Sequence, residues 1–300
     1  MSNLLITGFT GMNNLQDKRR LKGPVAWPNG SVASAECRKI VNCDITDTLS
    51  AVLRPGSTLA LAGTPHSLWS AKDETQAYFV DGSFKRLFAG TPYTAVSLRS
   101  LLAPSLPMSY AEVNYLIACS NGVDLFLVQN GSISDFVFSS VTFKEQIMTG
   151  HMLAYYRRRL YVATGNVLYY TDADDIETLD ERDDPFVFGS RISMVLPLIN
   201  GMYVAADKVY WLACKGPDEL TITADHDLCA VEGTGEVIDG GLVGMAGNVG
   251  VFTAKEGICM GGEDGEVTNL TRGTLGFTAG QRGAALIRQS EGLNQYISWV

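Results

Sequence analysis

The sequence predicts an all-β fold: a β-propeller of about five to seven blades behind an irregular N-terminal arm. Three observations carry this. Asn-Gly and Asp-Gly pairs recur along the 300 residues, at Asn29-Gly30, Asp81-Gly82, Asn121-Gly122, Asn130-Gly131, Asn200-Gly201, Asp239-Gly240 and Asp264-Gly265. A two-residue hairpin needs positive φ at its centre, which Asn, Asp and Gly accept at least cost. Most of these pairs lie between short runs of Val, Ile, Leu, Tyr and Phe that repeat with a period of roughly 40 residues, the length of a four-stranded blade. The composition agrees: 31 glycines, 46% apolar and 18% charged residues suit a turn-rich chain with a sizeable core. A β-sandwich is the alternative, but its strands alternate apolar and polar residues more strictly.

Residues 1–35 form the predicted arm, where Gly8, Gly11, Gly23, Pro24, Pro28 and Gly30 break any periodicity and Lys18-Arg19-Arg20 is the only early basic run. The propeller domain spans 36–300. It opens with a strand pair over 38–45 and 50–54, stopped by Pro55-Gly56. This pair is the natural donor of a closing strand, because the last apolar segment, Tyr296–Val300, reads as a strand. The units that follow are 66–88, 110–128, 152–171, 192–212, 241–260 and 284–300. Tyr110–Ala118 reads as one strand and Gly241–Met245 as another. Leu160-Tyr161-Val162-Ala163 and Met202-Tyr203-Val204-Ala205 are expected innermost, since both faces of such apolar strands are covered.

Composition excludes several classes. A net charge of -9 argues against non-specific nucleic-acid binding, which needs a basic surface. The start, Met-Ser-Asn-Leu-Leu-Ile-Thr-Gly, has no secretory pattern, and no apolar run approaches the ~20 residues of a membrane helix. Synthesis in the cytoplasm and no membrane insertion are therefore expected. Cys37, Cys43, Cys119, Cys214, Cys229 and Cys259 form no CxxC pair and read as reduced apolar residues.

Candidate chemistry is sparse. Asp172, Asp174, Asp175, Asp180, Glu181, Asp183 and Asp184 form an acidic stretch without the order of a calcium loop, so it reads as a solvated loop or an acidic docking surface. His66, His151 and His226 lie in different repeats. In Asp225-His226-Asp227 strand alternation turns the imidazole away from both carboxylates. Glu112, Asp124 and Glu256 are the carboxylates to weigh for glycoside hydrolysis, with nothing singling them out. Arg157-Arg158-Arg159 reads as a charged hairpin tip or an ionic contact to a neighbouring subunit. Gly261-Gly262-Glu263-Asp264-Gly265 is a turn, because no helix follows to complete a phosphate cradle. The sequence assigns no catalytic, cofactor-binding or metal residue, and the chain reads as a non-enzyme.

Several segments resemble the small β-propeller tail proteins of short-tailed bacteriophages. Gly8-Phe9-Thr10-Gly11-Met12-Asn13-Asn14 before Lys18-Arg19-Arg20-Leu21 is similar to their N-terminal arm. Val41-Asn42-Cys43-Asp44-Ile45 with Leu53-Arg54-Pro55-Gly56 resembles their first hairpin. Leu160-Tyr161-Val162-Ala163, Leu168-Tyr169-Tyr170-Thr171 and Phe186-Val187-Phe188 resemble a blade. Gly257-Ile258-Cys259 and Gly265-Glu266-Val267-Thr268-Asn269-Leu270-Thr271 resemble the closing one. The resemblance implies a virion tail component, a hub or nozzle subunit in a hexameric ring around the DNA exit channel. Its partners would be other tail and connector proteins and tail fibres. Genomic DNA would pass without specific binding, which an acidic lumen favours by repelling phosphates. The arm and the loops 89–108 and 172–191 are the expected inter-subunit contacts. The alternative function is a carbohydrate-binding or carbohydrate-active propeller for receptor recognition. It calls for exposed Trp or Tyr beside carboxylates, yet of Trp27, Trp69, Trp211 and Trp299 the last three lie in segments expected to be buried.

Overall fold

The computed structural model describes residues 61–71, 75–90, 92–138, 141–215, 219–276, 278–290 and 293–300. It also gives the backbone of the strands Phe9–Met12, Val25–Ala26, Val32–Ala33, Ala35–Cys37, Cys43–Ile45 and Ala51–Leu53. The chain is all-β and propeller-like. It divides into two compact units, Thr58–Asp227 and Met1–Ser57 with Leu228–Val300.

The larger unit holds four antiparallel sheets of four strands in chain order, with Thr178–Asp180 passed over between the third and fourth strands of the third sheet. Sheet I comprises His66–Ser70, Ala77–Val80, Ser83–Phe88 and Thr94–Ser100. Sheet II comprises Ser109–Val113, Leu116–Ser120, Leu125–Gln129 and Ser132–Ser134. Sheet III comprises Met152–Tyr156, Arg159–Thr164, Val167–Tyr170 and Phe186–Val187. Sheet IV comprises Met194–Pro197, Gly201–Ala205, Val209–Cys214 and Leu220–His226. The other unit carries sheet V, with Glu236–Asp239, Asn248–Ala254, Gly257–Gly261 and Val267–Asn269. First strands start at residues 66, 109, 152, 194 and 236, a spacing of 42 or 43 residues. This is the repeat that the turn pairs announced.

Period-2 side-chain alternation explains why the sheets stack. In sheet II, Ile117, Cys119, Phe126 and Val128 pack with Tyr78, Val80 and Phe84 of sheet I. Ala118 and Leu127, one residue out of phase, pack with Leu153, Leu160 and Val162 of sheet III. Sheet III repeats the device: Ala154, Tyr156, Tyr161, Ala163 and Leu168 turn to Val195, Met202, Val204 and Leu212 of sheet IV. Phe84 and Phe126 meet edge to face, with centroids 5.0 Å apart. The middle residues of the second strands are covered on both faces, so these strands are apolar almost throughout.

Several expectations are corrected. The first strands of sheets II, III and IV, not the second, lie beside one another, so Leu160–Ala163 and Met202–Ala205 are the flanked interior strands of their sheets rather than the innermost. Tyr110–Ala118 is broken by a turn at Asn114 (φ 55) and Tyr115, with Val113 opposite Leu116. Asp239-Gly240 opens a 3₁₀ turn, Gly240–Val243, not a tight hairpin, and Gly241–Met245 is not a strand. The strand there is Glu236–Asp239 instead. Thr94–Ser100, inside the expected loop 89–108, is the fourth strand of sheet I, and 172–191 contains the strands Thr178–Asp180 and Phe186–Val187.

In the smaller unit Cys43–Ile45 pairs with Ala51–Leu53, as expected, and Phe9–Met12 runs parallel to Ala35–Cys37 within or beside the predicted arm. Ala284–Ser290 pairs with Leu293–Trp299. Among the described residues no ladder joins the Cys43–Leu53 hairpin to this pair. Trp299, expected to be buried, is exposed, because its strand has a ladder partner on one side alone among the described residues. Trp211 is buried, and Trp69 is half-buried between Tyr78 and Tyr110. Asn29-Gly30 and Trp27 lie outside the described residues.

Candidate assembly surface of the third sheet

Sheet III brings together the two charge features that the sequence offered separately. Its first two strands meet at Arg157-Arg158, between the paired residues Tyr156 and Arg159. Both arginines take positive φ (46° and 69°), the conformation of a type I′ turn, at a cost of about 1–2 kcal/mol for each non-glycine residue. Each guanidinium is engaged. That of Arg157 lies over the Tyr156 ring, and its Nη2 donates to the Ile199 carbonyl at 3.3 Å. Tyr156 Oη donates to the same carbonyl at 2.9 Å, tying this hairpin to the tip of sheet IV. Arg158 grips Asp174 with both nitrogens, Nε to Oδ1 at 2.7 Å. Arg159 Nη1 donates to the Thr171 carbonyl at 2.7 Å, and its guanidinium lies over Tyr170. The reading as a charged hairpin tip describes the position, and the charges are spent on their own chain.

The acidic stretch is cross-linked rather than merely solvated. Thr178–Asp180 forms a short ladder with Lys144–Gln146 from the connection between sheets II and III. Lys144 Nζ donates to Asp172 Oδ2 at 2.6 Å and to Asp180 Oδ2 at 2.8 Å. Arg182 forks onto Asp180 at 2.8 and 2.6 Å. Arg182 and then Lys144 hold the Asp180 carboxyl well below the usual carboxylate range. Asp172, and then Asp180, push the Lys144 ammonium up. Thr178 Oγ1 donates to Asp175 at 2.8 Å, and the Glu177 amide donates to Asp175 Oδ1 at 3.0 Å. Around this pairing the chain presents the exposed carboxylates Glu181, Asp183 and Asp184, flanked by exposed Val141, Phe143 and Val187. Arg182 covers the Phe143 ring. This surface has the mixed apolar and charged make-up of a protein contact and no arrangement of nucleophile and base.

The weighed carboxylates are not brought together. Glu112 is half-buried opposite Ile117, whereas Asp124 sits past the other end of that ladder, beyond the Ser120–Leu125 pair. Asp124 is buried and accepts from the Leu102 amide (3.0 Å), the Ala103 amide (3.2 Å) and Asn121 Nδ2 (3.0 Å). It is a loop clamp. Glu256 lies at the Lys255-Glu256 tip of sheet V and accepts from the Cys229 amide at 3.3 Å. The histidines are spent on scaffold: His66 Nε2 meets the Pro104 carbonyl at 2.9 Å and His151 Nε2 the Ile192 carbonyl at 2.8 Å. His226 is half-buried opposite Val209, while Asp225 turns outward to Lys208. Cys119, Cys214, Cys229 and Cys259 are free thiols, and burial pushes those of Cys119 and Cys259 up. Residues 261–265 form the expected turn, with the Gly262 amide donating to the Glu266 carbonyl. Among the described residues no three His, Cys, Asp or Glu side chains are grouped to hold a metal, and no helix is long and apolar enough to cross a membrane. Phe143 (φ 64) and Lys144 escaped sequence reading, because their partners lie more than 25 residues away, in the stretch from Asp172 to Arg182.

No protein-family model matches the chain, and no curated protein matches it by sequence. Among solved structures it is similar to an auxiliary nutrient binding protein from Bacteroides thetaiotaomicron, with 10% identity and a TM-score of 0.47 over 82% of this chain and 69% of that one.

Proposed function

We propose that this chain is a non-enzymatic structural subunit of a bacteriophage tail, a hub or nozzle component assembled as a hexameric ring around the DNA exit channel. One observation carries the reading. The residues with chemistry to offer are committed to holding loops: Asp124 clamps 102–103, Asp180 binds Lys144 and Arg182, and the arginine tip binds Ile199 and Asp174. The residues behind the phage resemblance, Leu160–Ala163, Leu168–Tyr170 and Phe186–Val187, occupy the second, third and fourth strands of sheet III. The acidic loop follows its third strand. The net charge of -9 suits a conduit that DNA must leave without sticking.

Light scattering on the purified full-length chain tests the reading. It predicts a discrete multiple of 32.4 kDa and no release of reducing sugar from bacterial surface polysaccharide. A monomer that cleaves such a polysaccharide would transfer the chain to the alternative, a receptor-recognition propeller acting on carbohydrate.

A further inference from the structure

Sheet V carries a feature that neither its core nor the acidic surface uses. Glu236–Asp239 and Asn248–Ala254 are joined by a loop closed at its neck. The Gly240 amide donates to the Gly247 carbonyl at 2.7 Å, the Met245 amide donates to the Gly240 carbonyl at 2.8 Å, and Asp239 accepts from the Gly241 amide at 2.8 Å. Gly240 is required there, because a Cβ would meet the Gly247 carbonyl at 2.5 Å. Beyond the neck, Gly-Leu-Val-Gly-Met-Ala-Gly, residues 241–247, is exposed throughout and bears no charge. Leu242 and Val243 are 42% and 43% exposed. This is an ordered apolar knob.

The rim of the knob selects its partner. Asp239 and Glu263 flank the neck, Glu263 accepting from the Asn248 amide at 2.8 Å, and Asp264 follows. Three carboxylates at this depth repel lipid phosphates, so a bilayer is a poor occupant. A protein surface with apolar side chains and a cation fits. The same chain presents one. Thr94–Ser100 is the outer strand of sheet I, with no ladder on its far side among the described residues. Val96 on this strand, Tyr93 just before it and Phe88 opposite Thr94 on the neighbouring strand are exposed. Arg86 lies 4.9 Å over the Phe88 ring and donates to the Asn130 carbonyl, and among the described residues it pairs with no carboxylate.

We propose that the 241–247 knob of one copy seats on the outer edge of sheet I of the next copy, with Arg86 facing the acidic rim. Knob and seat are different surfaces, so the contact is head-to-tail, the type that closes into a ring. The inference rests on the ring reading above and names the contact that builds it.

Cross-linking separates the two claims. Full-length chains carrying Val243→Cys and Val96→Cys are mixed, equilibrated and oxidised, and each variant alone controls for the native thiols. The expected result is an interchain disulfide in the mixture and in neither control. Leu242→Ser with Val243→Ser should lower the mass to that of the single chain while circular dichroism stays unchanged. If the wild type is an oligomer, no cross-link forms and the double variant keeps its mass, the knob contact is wrong and the ring reading stands. A wild type that is monomeric at every concentration overturns both. Flotation with phosphatidylcholine vesicles that the double variant abolishes assigns the knob to lipid and overturns the contact.

Discussion

Asp124→Ala should destabilise the larger unit by about 2–4 kcal/mol. The carboxylate is buried and receives three donors: the Leu102 amide, which reaches both oxygens at 3.0 and 3.1 Å, the Ala103 amide at 3.2 Å and Asn121 Nδ2 at 3.0 Å. Orphaning a buried donor costs about 1–3 kcal/mol. Three donors would set the upper bound well above 4 kcal/mol. Leu102 is 83% exposed, however, so water enters the vacated space and recovers part of the loss. Asp124→Asn keeps one acceptor and turns an amide towards a backbone N–H, so it should cost about half as much. The assay is urea unfolding followed by tryptophan fluorescence, comparing midpoints at constant slope. An alanine variant within about 0.5 kcal/mol of wild type would refute the clamp. So would an asparagine variant as damaging as alanine. Asp124 acting as a glycosidase carboxylate predicts a different pattern, in which Asn abolishes sugar cleavage and leaves stability nearly intact.

Three further outcomes are expected. Burial pushes the Glu236 carboxyl up to about 7 from an ordinary value of 4.5. The stability this contributes is full below 4.5, is lost as pH climbs to 7, and is absent above. Glu236→Gln should therefore raise stability by about 1–2 kcal/mol at pH 8, after allowing for partial exposure, and leave it unchanged at pH 4. Melting temperatures at the two pH values check this, and equal gains at both would contradict it. Gly201→Ala puts a Cβ 2.3 Å from the Leu212 carbonyl oxygen and 2.7 Å from the Trp211 ring, so sheet IV should lose about 3 kcal/mol or fail to fold, read from the same urea curves. Arg182→Ala removes the larger of the two cations holding Asp180 down, and carboxyl NMR should find that group titrating closer to 3.8.

The repeat was legible because turn chemistry is local. Asn130-Gly131 takes φ values of 51° and 86° between Gln129 and Ser132, as its two residues require. Where the turn lacks glycine the signal fades: Asn114-Tyr115 hid inside an apolar run, since Tyr says nothing about positive φ. Gly241–Met245 misled for the opposite reason. Apolar content cannot tell a buried strand from a knob whose shape is set by bonds between Gly240 and Gly247. Thr94–Ser100 was hidden by its position at an edge, where exposed Thr, Ala and Ser replace the apolar side chains that mark a central strand. The candidate surface was half visible. Its acids and arginines stood out by composition, but their pairing did not: Lys144 with Asp180 and Tyr156 with Ile199 join segments that only the stacking of sheets brings together.

Electron-microscopy class averages of the purified chain decide whether it assembles into a ring around an open channel. Closed rings of six subunits with a central opening are expected. Isolated single-chain particles at all concentrations, or filaments that do not close, would contradict the ring.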